Sequence, residues 1–246
     1  MNILIVESEN DEYFIQALVN KISINNKVCS IDDFKHSSLS EESLKTQIAN
    51  ALRDVNRGEG VSKIGIILDI DDSNKAERLE LINKCLSKAF EDCGYRLTEE
   101  LTDIKQFKVI PIDEEQDIQI SCYFTNVDGQ GELETVLKEI KTQDSTFADC
   151  LEDGWKNCLS KKNKIIVGRG EKGDISNKEI LKLWVEFYKR FDTLKKGERR
   201  EESTCWKGIM LGETKKNKKV TARGEAIFNL ESPILTDLIS FLQMFD

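Results

Sequence analysis

Apolar and polar positions follow two alternating rhythms through the first half of the chain. Short unbroken apolar runs, Asn2-Ile3-Leu4-Ile5-Val6 and Ile64-Gly65-Ile66-Ile67-Leu68, stand between longer stretches in which apolar residues recur every three or four positions. Runs of the first kind suit strands buried on both faces, and the second period suits amphipathic helices. The pattern predicts strands at about 2–6, 27–34 and 63–69 and helices at 10–22, 40–55 and 74–92. Such alternation implies an α/β fold, a parallel sheet wound with helices on both sides. On the third helix Ala76, Leu79, Ile82, Cys85, Leu86, Ala89 and Phe90 share one face, and Gly94 is placed to end it.

Two further strand-like runs, Phe107 to Ile112 and Ile118 to Phe124, flank an acidic turn and read as a hairpin at one edge of the sheet. The Gly- and Asx-rich stretch Asn126-Val127-Asp128-Gly129-Gln130-Gly131 then predicts a loop, with a helix from about Glu132. Glu132 and Glu134 fall in the first turn of that helix, as favourable charges at its N-terminus or as ligands for a metal ion. Beyond Asp144 the pattern is helical, near 144–160, 176–195 and 233–245, with loops around 196–224. Trp155, Trp184, Phe187, Tyr188 and Phe191 sit at helical spacing, with Trp206 beyond them, and read as core rather than as platforms for stacked bases. The expected organisation is an α/β domain over 1–143 with a helical, basic extension over 144–246 packed on it, or one continuous domain.

Charge sharpens the division. The net charge is −9, yet residues 155–224 hold 20 Lys and Arg against 9 Asp and Glu, a net +11, whereas residues 1–154 hold 16 against 32, a net −16. The basic stretch includes Lys161, Lys162, Lys164, Arg169, Lys195, Lys196, Arg199, Arg200, Lys215, Lys216, Lys218 and Lys219. It suits a polyanion such as nucleic acid, and it equally suits a solvated face or a surface docked on the chain's own acidic half. No apolar run approaches the roughly 20 residues of a membrane span and no basic leader precedes the first strand, so a soluble, cytoplasmic protein without membrane contact is expected.

Seven cysteines without a C-x-x-C pair imply reduced thiols rather than a zinc site or a disulfide framework. Cys85 and Cys93 read as packing residues. The single histidine, His36, lies in a Ser-rich stretch with nothing nearby to build a nucleophilic triad.

The chemistry is concentrated where the two apolar runs stop. The first breaks into Glu7-Ser8-Glu9-Asn10-Asp11 and the second into Asp69-Ile70-Asp71-Asp72-Ser73. In an open α/β sheet the ligand crevice lies beyond the carboxyl ends of the strands, so these acids could converge. Converging carboxylates require a cation or a shared proton, and hard oxygen ligands suit Mg²⁺ or Mn²⁺. The plainer reading is helix capping, by Asn10-Asp11 or by Asp72-Ser73.

Ile3-Leu4-Ile5-Val6-Glu7 followed by Asp11 and Phe14 resembles the opening strand, Glu and following acid of Toprim domains, in particular the Glu-x-x-x-Asp of the OLD-nuclease-like branch. Ile66-Ile67-Leu68-Asp69-Ile70-Asp71 resembles the second Toprim signature, an apolar strand ending in Asp-x-Asp. The stretch from Phe124 to Glu134, with its Gly131-Glu132-Leu133-Glu134, and the stretch Arg223-Gly224-Glu225-Ala226-Ile227 resemble the domain-of-unknown-function 3226 family, which is related to Toprim proteins. One departure is Ser8, where Toprim domains usually carry a glycine that favours a tight turn. The resemblance implies a Toprim-like fold and a nuclease or other phosphodiester-processing activity on DNA or RNA, in a setting such as prokaryotic defence. It implies Mg²⁺ or Mn²⁺ held by Asp69 and Asp71, with Glu7 as general acid/base or further ligand, Asp11 as a ligand of a second ion, and Asp72 and Glu134 in support. The basic residues Lys161, Lys162, Lys164, Arg169, Lys215, Lys216, Lys218 and Lys219 would then hold the nucleic-acid backbone.

Topoisomerase chemistry lacks an evident tyrosine, and primase chemistry lacks a zinc-binding region. The opening also resembles a receiver domain, and Asp69-Ile70-Asp71-Asp72-Ser73 the start of a haloacid-dehalogenase-type phosphatase. A different class of function is a non-catalytic or partner-dependent nucleic-acid-binding protein, working with an ATPase or another protein.

Overall fold

The computed structural model describes residues 1–31, 39–57, 60–70, 73–112, 116–127, 129, 131–161, 176–200, 204–214, 216 and 218–246. They form two compact units, one of residues 1–130 with 235–246 and the other of residues 131–234.

In the first unit, β1 (Asn2–Val6), β2 (Asn26–Ser30), β3 (Lys63–Asp69), β4 (Lys108–Pro111) and β5 (Asp117–Thr125) form one sheet in the order β2-β1-β3-β5-β4. All neighbours are parallel except the edge pair of β4 with β5. The helices are α1 (Glu9–Lys21), α2 (Glu41–Asn56) and α3 (Lys75–Asp92). This is a mixed, mostly parallel α/β architecture of the Rossmann- and Toprim-like kind; the alternating periods predict its parallel, helix-flanked sheet, and the resemblance implies its Toprim-like character. The chain leaves β1 toward β2 on one side and returns to β3 on the other, so the β1/β3 pair is a topological switch point, where α/β sheets bind ligands.

Successive side chains of a strand point to opposite faces, which splits the apolar runs between two layers. Ile3, Ile5, Ile64, Ile66 and Leu68 share one core with Leu44, Ile48 and Leu52 of α2 and Ile82, Leu86 and Phe90 of α3. The alternate residues Leu4, Val6 and Ile67 are buried on the other face, where Phe14 and Leu18 of α1 are also buried. Gly65 belongs to that second face: a Cβ there would lie 2.6 Å from Leu4 Cδ2 and 2.7 Å from Phe245 Cζ. The absence of a side chain lets Phe245 lie against the strand, where it also meets Phe241 and Phe107 with ring centroids 5.1 Å apart in each case.

Ser8 is the N-cap of α1, in an ordinary extended conformation, with Asp11 completing a capping box. Position 8 therefore needs no left-handed backbone, and the serine contributes a cap that a glycine would not. The caps differ from those the sequence suggested: Asp11 is the helix-side partner of Ser8, and α3 is capped by Asn74 with Glu77. Each helix starts where a polar side chain can reach the free N–H groups of the first turn, which moves both boundaries by a residue or two.

The second unit contains α4 (Leu133–Glu139), α5 (Thr146–Lys161), α6 (Asn177–Phe187) continued by a π turn at Tyr188–Asp192, a 3-10 turn (Lys196–Glu198), α7 (Trp206–Leu211) and α8 (Gly224–Ile227). A further 3-10 turn, Pro233–Leu235, leads into α9 (Thr236–Gln243), which belongs to the first unit. Trp184 stacks on Tyr188 at 5.3 Å, and Tyr188 and Trp206 both pack on Phe228. Trp184 Nε1 donates to Asp149 Oδ1 at 2.8 Å, and Tyr188 Oη donates to the Ile227 carbonyl at 2.8 Å, so the buried aromatics keep their polar ends satisfied. This is the core role expected of Trp184, Tyr188 and Trp206, whereas Trp155, Phe187 and Phe191 are only half-buried. No helix among the described residues is long and apolar enough to cross a membrane.

Candidate metal centre

Asp69 is the last residue of β3 and lies only 5% exposed. Its position follows from strand pairing, because Asp69 is opposite Thr125, the last residue of β5, and the next peptide N–H, from Ile70, donates to the Thr125 carbonyl at 3.3 Å. Glu7 follows β1 directly. Its Oε2 accepts the Asp69 N–H at 3.3 Å, so the adjacent ends of β1 and β3 are joined through a carboxylate.

From Thr125 the chain reaches α4 within a few residues. Asn126 Oδ1 accepts the Gly129 N–H at 2.9 Å, and Gly129 has a positive φ of +85. Gly131 then adopts φ +98, and a Cβ on it would lie 2.7 Å from Thr135 Oγ1. Only glycine fits both the left-handed backbone and the close approach of Thr135. The next residue, Glu132, is extended and caps α4, and its own N–H is 3.4 Å from Thr135 Oγ1. Glu132 and Glu134 are 3% and 7% exposed, and Leu133 between them is buried.

Asp69, Glu132 and Glu134 each offer a carboxylate oxygen, and the three oxygens lie within 4.8 Å of one another. Asp69 is opposite Thr125 in the β3–β5 register, and six residues separate Thr125 from Glu132 in sequence. Among the described residues this is the one group of three or more carboxylate, imidazole or thiolate ligands close enough to share an ion. Buried carboxylates at this separation repel strongly unless positive charge lies nearby. Lys178 Nζ approaches Glu132 Oε2 to 2.9 Å, and Glu134 is among the charges that act on the buried Lys189. An all-oxygen donor set with three negative charges fits a hard divalent cation.

The residues expected from sequence divide in three ways. Asp69 and Glu134 belong to the group, and Glu7 is tied to the backbone beside it. Asp11 is buried but engaged locally, its Oδ2 accepting the Ser8 N–H at 3.0 Å and the Ser8 hydroxyl. Asp71 and Asp72 lie outside the described residues, as do Lys162, Lys164, Arg169, Lys215 and His36. Lys161 ends α5, and Lys161, Lys216, Lys218 and Lys219 are exposed. Glu132 is the member that the strand-end patterns do not reveal; its signal is the Gly131-Glu132-Leu133-Glu134 run. The buried thiols are unsuited to metal or nucleophilic work: burial pushes Cys85 up to about 11 and Cys122 up to about 12.

The model of a protein family described as "Protein of unknown function (DUF3226)" matches residues 1–245. Among curated proteins, none matches this chain.

Proposed function

This chain belongs to the DUF3226 family, and on that premise we propose that it is a Toprim-like, divalent-metal-dependent phosphodiester-processing protein, most simply a nuclease of the OLD-like kind. The observation that carries the reading is the buried Asp69, Glu132 and Glu134 group. The ion would be Mg²⁺ or Mn²⁺, and when bound it supplies Lewis-acid polarisation of a phosphate oxygen and a lowered pKa for coordinated water.

The chain's own residues have separable duties. Asp69, Glu132 and Glu134 hold the cation, and Asp71 and Asp72, which lie outside the described residues, are added to that set on the strength of the Toprim resemblance. Glu7 fixes the end of β3 through the Asp69 N–H and is proposed as the acid that handles a proton beside the group. Asp11 acts through Ser8, holding the first turn of α1 and so the chain that carries Glu7. The basic residues Lys161, Lys162, Lys164, Arg169, Lys215, Lys216, Lys218 and Lys219 are proposed to neutralise nucleic-acid phosphates. Binding through them would weaken steeply with salt. The setting is proposed to be the prokaryotic cytoplasm.

Cleavage of labelled single- and double-stranded DNA and of RNA, with Mg²⁺ or Mn²⁺, tests the reading against Asp69→Ala. Metal-dependent cleavage by the wild type that is lost in the variant is the expected result. Cleavage undiminished in Asp69→Ala would remove the site assignment. Metal binding without cleavage of any substrate would favour a binding protein, or one that requires an ATPase or other partner.

A further inference from the structure

Lys178 pairs with Glu132 and the charge of Glu134 acts on Lys189, and the two lysines differ in exposure. Lys189 is 1% exposed, bonded to Glu186, with Nζ 4.2 Å from the centre of the Trp206 ring. Its ammonium is covered by Trp206 and paired with the exposed Glu186. Lys178 lies about three turns earlier, in the first turn of α6, a start fixed by the Ser176/Glu179 capping box. Its side chain is 36% exposed, while the Glu132 oxygen that it pairs with at 2.9 Å belongs to a residue that is only 3% exposed. A long lysine with about a third of its side chain exposed can turn toward water once another cation takes its place on Glu132, whereas Glu132 stays where the backbone at the start of α4 puts it.

We propose that Lys178 is a built-in counter-cation, which neutralises Glu132 while no divalent ion is bound and is displaced when one loads. This rests on the metal-centre reading above. An ammonium and a divalent ion on the same buried carboxylate repel each other, so the Lys178–Glu132 pair must open or stretch as the ion enters. The pair therefore sets a threshold: it protects the empty site from the cost of an unpaired buried carboxylate and lowers the affinity for the ion by the same interaction.

The experiment is calorimetric titration of the full chain with Mn²⁺ at fixed pH and ionic strength, comparing wild type, Lys178→Met and Lys178→Arg, with urea unfolding of each in chelator. Lys178→Met is expected to bind Mn²⁺ on the order of tenfold more tightly, to unfold at lower urea in chelator, and to recover on adding Mn²⁺. Lys178→Arg, which keeps the charge, should stay near wild type on both readouts. Should Lys178→Met not fold, Lys178→Gln carries the same expectation. Unchanged or weaker Mn²⁺ binding in the neutral variant, with the wild type binding normally, overturns the counter-cation role alone. No binding by folded wild type overturns this role together with the metal centre.

Discussion

Replacing Asp69 by asparagine keeps the shape of the side chain and removes one charge from the buried group. At the 4.8 Å limit of their separation, each pair of carboxylates repels by about 3.5 kcal/mol at an effective dielectric constant near 20. Asp69 takes part in two such pairs, so the gross relief is about 7 kcal/mol. Lys178 on Glu132 and the field of Lys189 at Glu134 already offset much of it. A net gain of about 1–3 kcal/mol in the chelated state is therefore expected, in place of the loss usual for a buried polar substitution. With Mn²⁺ the sign reverses, because the wild type gains ligand-linked stability that the variant forfeits. Urea unfolding followed by circular dichroism, in chelator and in millimolar Mn²⁺, reads both effects. If Asp69→Asn is destabilised equally in the two conditions, the three carboxylates do not form a charge-crowded cation site, and Asp69 serves only the packing at the end of β3.

Three further outcomes follow from particular residues. Burial pushes the Glu152 carboxyl up, but hydrogen bonds from Lys138 and Lys156, each 2.5 Å, outweigh it and hold the group below its usual range. A depressed folded pKa gives stability that is complete above the unfolded value, about 4.3, and fades as pH falls through the folded one. Glu152→Gln should thus cost about 1–2 kcal/mol at pH 7 and flatten the loss of stability on acidification below about pH 4; equal stability of the two proteins at pH 7 would contradict this. Gly131→Ala meets both a φ of +98 and Thr135 2.7 Å away; it should destabilise by about 1–3 kcal/mol and weaken Mn²⁺ binding through Glu132, and an unaltered Mn²⁺ affinity would detach Glu132 from the site. Alkylation at pH 8 should label the exposed Cys150 and Cys158 far ahead of Cys85 and Cys122, whose thiols are pushed up to about 11 and about 12. Mass spectrometry of the native protein checks this, and early labelling of Cys122 would contradict its burial.

The sheet was legible because it depends on local signals. The apolar runs at 2–6 and 63–69 are bounded by charges and match β1 and β3, and Gly94, with φ +80, follows α3. Less legible were the ends set by contacts remote in sequence. Of the strand expected over 27–34, residues 32–34 lie outside the described residues; among the described ones it ends at Ser30, where Glu12 of α1 accepts the Ser30 N–H and hydroxyl. The helix expected over 176–195 passes into a π turn at Tyr188, whose hydroxyl accepts the Thr142 and Gln143 N–H groups and so ties that turn to the chain after α4. Phe245 packs on Gly65 across most of the chain's length, a contact that periodicity does not encode. The site divides in the same way. Asp69 announces itself by ending an apolar strand. Glu132 is separated from Thr125 by six residues, with positive φ at Gly129 and Gly131, and its place beside Asp69 becomes visible only once the strands are paired.

The most direct measurement is a Mn²⁺ titration of the full chain followed by electron paramagnetic resonance, in wild type and in Asp69→Asn. Saturable loss of the free-ion signal, reversed by Mg²⁺ and absent from the folded variant, is the result predicted by a centre built from Asp69, Glu132 and Glu134. A free-ion signal that grows in proportion to added Mn²⁺ into the millimolar range in folded wild type would contradict it.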